Sequence, residues 1–177
     1  NMVSRIEGST TYTQAFDVEN RLKTVSMSGT NPVTNFAYDA SGQRLRTAVA
    51  PSGSPVANDT RTFTTYPFPG YEVEQTDTWQ YLCADKGGTN CSWQWGQTST
   101  VTRKTYFLGG QAVATRVESI PAQGGDGFYY LHSDHLGSNG LLTNSSGVKV
   151  TGSETRYYPY GAQRLAPTMP ADNITDR

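Results

Sequence analysis

The chain has 177 residues, a net charge of −1 and 16% charged residues, a length that suits one domain or one piece of a larger protein at roughly 100–200 residues per domain. Near-neutral charge excludes the strongly basic surface, with a domain pI above about 9, that marks nucleic-acid binding, and no apolar run approaches the roughly 18–20 residues of a membrane span. Leu, Ile, Val and Phe together number only 30, yet 11 Tyr, 3 Trp and so little net charge exclude plain disorder.

Thr (24) and Gly (18) abound while Lys numbers 4, a balance that favours pleated strands and tight turns over helices. The sequence therefore predicts an all-β fold of consecutive antiparallel hairpins, with little or no helix and an aromatic, Thr/Val-rich core. The opening Asn1-Met2-Val3 reads as an internal cut, so the lack of a signal peptide says nothing of export.

In chain order, strands are predicted at Thr10–Phe16, Arg21–Met27, Val33–Tyr38 and Arg44–Val49. A loop with Pro51, Gly53, Pro55 and Asn58 follows. Strands resume at Arg61–Tyr66, Tyr71–Gln75, Thr78–Cys83, Cys91–Trp95, Val101–Leu108 and Gln111–Glu118, the last two flanking the two-residue turn Gly109-Gly110. Ile120–Gly127 is a second loop, and Phe128–His132, Gly140–Thr143 and Val148–Thr151 complete the strands. The tail from Leu165 carries no periodic pattern.

Cys83 and Cys91 enclose seven residues with a Gly-rich centre. Strand-like arms on both sides predict a disulfide across a short hairpin, worth roughly 2–3 kcal/mol for so small a loop. A pair of free thiols in a reducing compartment is the alternative.

One pattern occurs twice, 22 residues apart: Phe16-Asp17-x-x-Asn20-Arg21-Leu22 and Tyr38-Asp39-x-x-Gly42-Gln43-Arg44-Leu45. Asp caps its own turn by accepting a backbone N–H about two residues on, and Asn or Gly tolerates the left-handed conformation that ends it. The aromatic and the Leu then face each other as a cross-strand pair. Gln43 is extra in the second copy, so its register or bulge is expected to differ. A third Asp-x-x-Gly lies at Asp134-His135-Leu136-Gly137. Hairpins that bury little alone must stack on neighbours.

At these residues the sequence resembles the RHS/YD-repeat family. The resemblance sharpens at Tyr130-Leu-His132-Ser-Asp134-His135-Leu136-Gly137-Ser138 and at Tyr158-Pro159-Tyr160-Gly161, which are similar in order and spacing to the RHS-associated core. It implies two hairpin repeats over residues 1–50, a strand-rich segment with the cysteine hairpin over 51–127, the core motif over 128–164 and an irregular tail over 165–177. It further implies a secreted or cell-surface protein of bacterial source, in which successive repeats wind as a sheet strip into a hollow shell around a C-terminal effector. Related shells in teneurins serve adhesion. Expected partners are neighbouring repeats of the same chain or other copies of itself, with an enclosed effector and a cell-surface glycan as further candidates.

His132-x-Asp134-His135 holds both histidines around a carboxylate and could bind a metal or act as base and orienter. No third ligand or nucleophile accompanies it, so hydrogen-bonded turn residues are expected. Asp17 and Asp39 as paired glycosidase carboxylates yield to their roles in separate turns. No nucleophile elbow, phosphate loop or dinucleotide fingerprint is present. Trp79, Tyr81, Trp93 and Trp95 flank the cysteine hairpin as either a sugar-stacking platform or aromatic packing. The expectation is a non-catalytic scaffold without metal or cofactor, and the rival is an adhesion or filament-forming module pairing through open strand edges.

Overall fold

The computed structural model describes residues 3–28, 32–84, 88, 90–133, 139–157 and 163–165. Eleven strands follow one another: β1 (Ser4–Glu7), β2 (Thr10–Phe16), β3 (Leu22–Met27), β4 (Pro32–Tyr38), β5 (Arg44–Pro51), β6 (Thr60–Phe68), β7 (Tyr71–Cys83), β8 (Cys91–Leu108), β9 (Gln111–Ile120), β10 (Gly127–Ser133) and β11 (Asn139–Asn144). They form one sheet in which every strand neighbours the next in sequence. β12 (Arg156–Tyr157) and β13 (Gln163–Leu165) pair separately. The described residues contain no helix, so the expectation of an all-β chain of antiparallel hairpins holds.

The differences from the sequence reading have local causes. β1 went unanticipated because a four-residue exposed strand has no buried alternation to reveal it. Tyr71–Gln75 and Thr78–Cys83 are one strand, since Thr76-Asp77 is not a turn: Asp77 is 4% exposed and held by Arg61. Cys91–Trp95 and Val101–Leu108 are likewise one strand. Gly96 inside it is no break but a close approach, where an added Cβ would meet Leu82 Cδ1 at 2.8 Å. Val148–Thr151 is not a strand; it touches β11 through the isolated bridge Thr143↔Lys149.

Internal contacts divide the chain into two units, residues 1–67 with 73–100 and residues 68–72 with 101–177. In the second unit Val101, Val117 and Tyr129 form a buried cluster against which Val150 packs, and Val117 is only 1% exposed. Each such side chain contributes roughly 1.5–3 kcal/mol by leaving water. The Tyr129 hydroxyl, buried with its ring, donates to the Gly125 carbonyl at 2.8 Å. In the first unit Asp77 is the single buried residue among those described. Its cohesion comes from elsewhere.

Candidate functional site

The repeat turns are built identically. The Asp17 and Asp39 backbone N–H groups donate to the Arg21 and Gln43 carbonyls, both at 2.9 Å, and the Asn20 and Gly42 N–H groups close back on the aspartate carbonyls. Asp17 Oδ1 accepts from the N–H groups of Glu19 (3.0 Å) and Arg21 (2.9 Å). Asp39 Oδ1 accepts from those of Ser41 (2.8 Å) and Gln43 (2.9 Å) and from the Ser41 hydroxyl. Asn20 (φ 67°) and Gly42 (φ 85°) take the left-handed conformation. These bonds favour the charged carboxylate. The Arg21 backbone N–H foremost holds Asp17 below the usual Asp value, and the Ser41 hydroxyl foremost does so for Asp39.

The expected difference between the copies is absent. Both turns have one length and both register shifts fall at the same step, between Ala15 and Phe16 and between Ala37 and Tyr38. Gln43 occupies the place of Arg21, so the extra residue displaces Arg-Leu by one: Phe16 faces Leu22, whereas Tyr38 faces Arg44. A third copy escaped the sequence reading. Asn144 donates its N–H to the Val148 carbonyl, accepts at Oδ1 from Ser146 and Val148 at 3.0 Å, and is closed by Gly147 at φ 75°. An amide oxygen serves this cap as well as a carboxylate, and the Asn-x-x-Gly spacing could have disclosed it.

The first two turns are coupled. Arg21 bonds Asp17 Oδ2 through Nε at 2.8 Å, reaches the Asp39 carbonyl through Nη1 at 3.1 Å and lies 5.0 Å over the Tyr38 ring. The Tyr38 hydroxyl returns a bond to the Leu22 carbonyl at 2.9 Å. Besides Arg5 over the Tyr12 ring at 5.0 Å, the same unit carries two larger arginine–aromatic stacks. Arg44 lies over Phe36 and Tyr66. Arg46 and Arg61 flank Phe63 at 4.2 and 5.0 Å, and Arg61 also lies 4.6 Å over Trp95. Strand register puts Phe36 with Thr47 and Phe63 with Ala48, which places the two stacks on opposite faces. Asp77 fixes Arg61, accepting from Nε and Nη2 at 2.8 Å each and from Gln75 Nε2 at 2.7 Å.

Cys83 and Cys91 are disulfide-bonded. Behind them Trp79 meets Trp95 and Tyr81 meets Trp93 edge to face, at 5.3 and 5.8 Å. Trp95 has one face covered by Arg61, and of these four rings Tyr81 (59% exposed) and Trp93 (48%) are the exposed ones.

His132 Nε2 lies 2.9 Å from Thr143 Oγ1 on the neighbouring strand. Tyr130 packs edge to face on Phe128 at 5.2 Å. Asp134, His135, Leu136, Gly137, Ser138, Tyr158, Pro159, Tyr160 and Gly161 lie outside the described residues, and with them the third Asp-x-x-Gly.

The two edges of the sheet differ. On β1, Gln14 donates to the Val3 carbonyl at 2.9 Å. By antiparallel alternation Val3, Arg5 and Glu7 turn their backbone groups towards β2, leaving those of Ser4 and Ile6 outward. On β11, outward groups of Gly140 and Leu142 are taken by the segment that follows. Val150 N–H donates to the Leu142 carbonyl at 3.0 Å, and Thr155 N–H to that of Gly140 at 2.9 Å. Leu142 N–H donates to Ser153 Oγ at 3.1 Å, and that hydroxyl donates to the Val150 carbonyl at 2.7 Å. Ser153 is buried, a side chain standing in for a strand.

No family model matches the chain, and no curated protein matches it significantly. Eleven chains of solved structures do. One belongs to the Photorhabdus luminescens Tc holotoxin pore, similar with a TM-score of 0.66 at 19% identity over 91% of this chain. At that identity the likeness is one of fold. The matched stretch is 7% of the length of that chain.

Proposed function

We propose that this chain is a non-catalytic segment of a β-hairpin shell of the RHS/YD-repeat type, secreted or surface-exposed, which encloses or displays an effector. The observation that carries the reading is the run of hairpins with interlocked, similarly capped turns, 91% of this chain matching part of a toxin-pore chain in fold. Three features support it. The turns recur in Asp and Asn versions, Arg21 ties one turn to the next, and a disulfide fits an oxidising compartment. Such a segment acts mechanically: strand ladders give stiffness and the stacked arginines cover aromatic surface.

Electron microscopy of the native particle tests the reading. Closed hollow particles with this chain in the wall are expected. Solid particles, or chains strung as beads with no enclosed volume, would remove the containment role.

A further inference from the structure

We propose that the exposed rings of Tyr81 and Trp93 form a stacking site for a neutral saccharide, a β-linked pyranose whose ring substituents are all equatorial.

The site lies in the middle of the chain, at the disulfide end of the hairpin β7–β8. Beside β7, the segment leading into β6 bonds as far as Trp79, which exchanges backbone hydrogen bonds with Asn58 and Asp59 at 3.0 and 2.8 Å. Beside β8, β9 has ten residues to its eighteen and starts from the turn at the opposite end. Beyond these neighbours the two strands run on together to the Cys83–Cys91 bond. Alternation puts Trp79, Tyr81 and Cys83 on one face with Cys91, Trp93 and Trp95, and the edge-to-face pairs Trp79–Trp95 and Tyr81–Trp93 agree.

Two contrasts select the occupant. Arginines lie over Tyr12, Phe36, Tyr38, Phe63, Tyr66 and Trp95 of the same unit, and that series stops at Trp95. Tyr81 and Trp93 stay exposed beyond it. Among the described residues of 78–98 no side chain is charged, so a nucleic acid or a sulfated sugar meets no counter-charge there. Size then excludes a protein. The exposed parts of the two rings amount to roughly 200 Å², at about 150–250 Å² per aromatic side chain, far below the roughly 800 Å² that each partner gives to a stable protein interface. A small, neutral, flat-faced ligand remains. The negative face of an aromatic ring draws polarised C–H bonds, and a pyranose with every substituent equatorial shows only C–H on its faces. The Tyr81 hydroxyl and the Trp93 indole N–H, at the ring edges, bond its hydroxyls. This inference does not require a shell.

The test is a titration of the nitrogen-15-labelled 177-residue chain with cellotetraose and, separately, chitotetraose, followed on the indole N–H signals of its three tryptophans. A saturable shift of the Trp93 signal is expected, with a dissociation constant of about 1 mM for two stacked rings. Tyr81→Ala and Trp93→Ala should each weaken binding about tenfold, read from the backbone amides of residues 80–82 and 92–94. Trp93→Phe, which keeps a ring, should retain most of it, and Gln94→Ala, on the opposite face, should change nothing. Binding of either oligomer supports the site, and binding of one alone tells which group it accepts at the second carbon. No saturable shift with either, shifts that survive Trp93→Ala, or tighter binding of a heparin tetrasaccharide would each overturn the proposal. Self-association lost in Trp93→Ala, with no saccharide bound, would overturn it too and give the face to a second copy. None of these results decides whether the native particle is hollow, so the site and the shell stand or fall separately.

Discussion

The two units solve one problem by different means. Residues 68–72 with 101–177 bury Val101, Ala114, Val117, Tyr129 and Leu142, the usual way to remove apolar surface from water. Residues 1–67 with 73–100 bury a carboxylate, Asp77, and lay arginines over their aromatics on both sheet faces. A guanidinium is planar and weakly hydrated, so it covers a ring while its edge stays wet. Where no second layer of structure lies on a sheet, a stacked arginine is the smallest available cover. Cohesion in the first unit should therefore depend on charge and hydrogen bonding, and in the second on volume together with one buried ion pair, Arg103 with Glu72 at 2.7 Å.

Tyr129→Ala would break the second unit most, with an expected loss of about 3–5 kcal/mol for a buried aromatic, read from urea unfolding. Asp77→Ala is the counterpart in the first. It strands Arg61 and should cost about 2–3 kcal/mol, while the pair Asp77→Leu with Arg61→Leu should cost less than the single change. If the double variant is the weaker one, charge pairing is not what holds this region. Trp95→Ala, which loses both Trp79 and Arg61, should cost about 2 kcal/mol against under about 1 for the exposed Trp93→Ala. Thermal denaturation should rank them so.

Acid distinguishes the turns at finer grain. Asp17 and Asp39 sit below the ordinary value of 3.8 in the folded chain, so between the folded and ordinary values the unfolded chain binds more protons. Their contribution is complete above the ordinary value and is lost as pH falls through the folded one. Amide exchange at Glu19, Arg21, Ser41 and Gln43 should quicken there. Ser146 and Val148, capped by the neutral Asn144, should keep their protection. Asp39→Asn should accordingly change the melting temperature less than Asp39→Ala does, and should remove the acid response of its turn.

What the sequence disclosed follows from what each signal encodes. The strand Thr10–Phe16 is found as predicted, because alternation between two turn signals bounds it on both sides. Asp77 and Gly96 are breakers by type, yet Asp77 is held in mid-strand by Arg61, and Gly96 stands where an added Cβ would meet Leu82. Asn144-Ser-Ser-Gly147 reads in the sequence as a connection between strands, and its kinship with the aspartate turns shows only in its bonds, which need an oxygen and no charge. The edge cap at Ser153 had no signal at all, since a buried serine hydroxyl is recognised only by the backbone it meets.

The shared turn has one more consequence. Its bonds run from backbone to backbone and to a single side-chain oxygen, so the residues that follow can slide past it without disturbing it. In the second copy they have slid by one, and Arg44 stands where Leu22 stands in the first. Duplication of such a hairpin, followed by a single inserted codon, would exchange the chemistry displayed on the two faces of the sheet while the turn stays in place. Such a chain varies its two sheet faces independently of the frame that carries them.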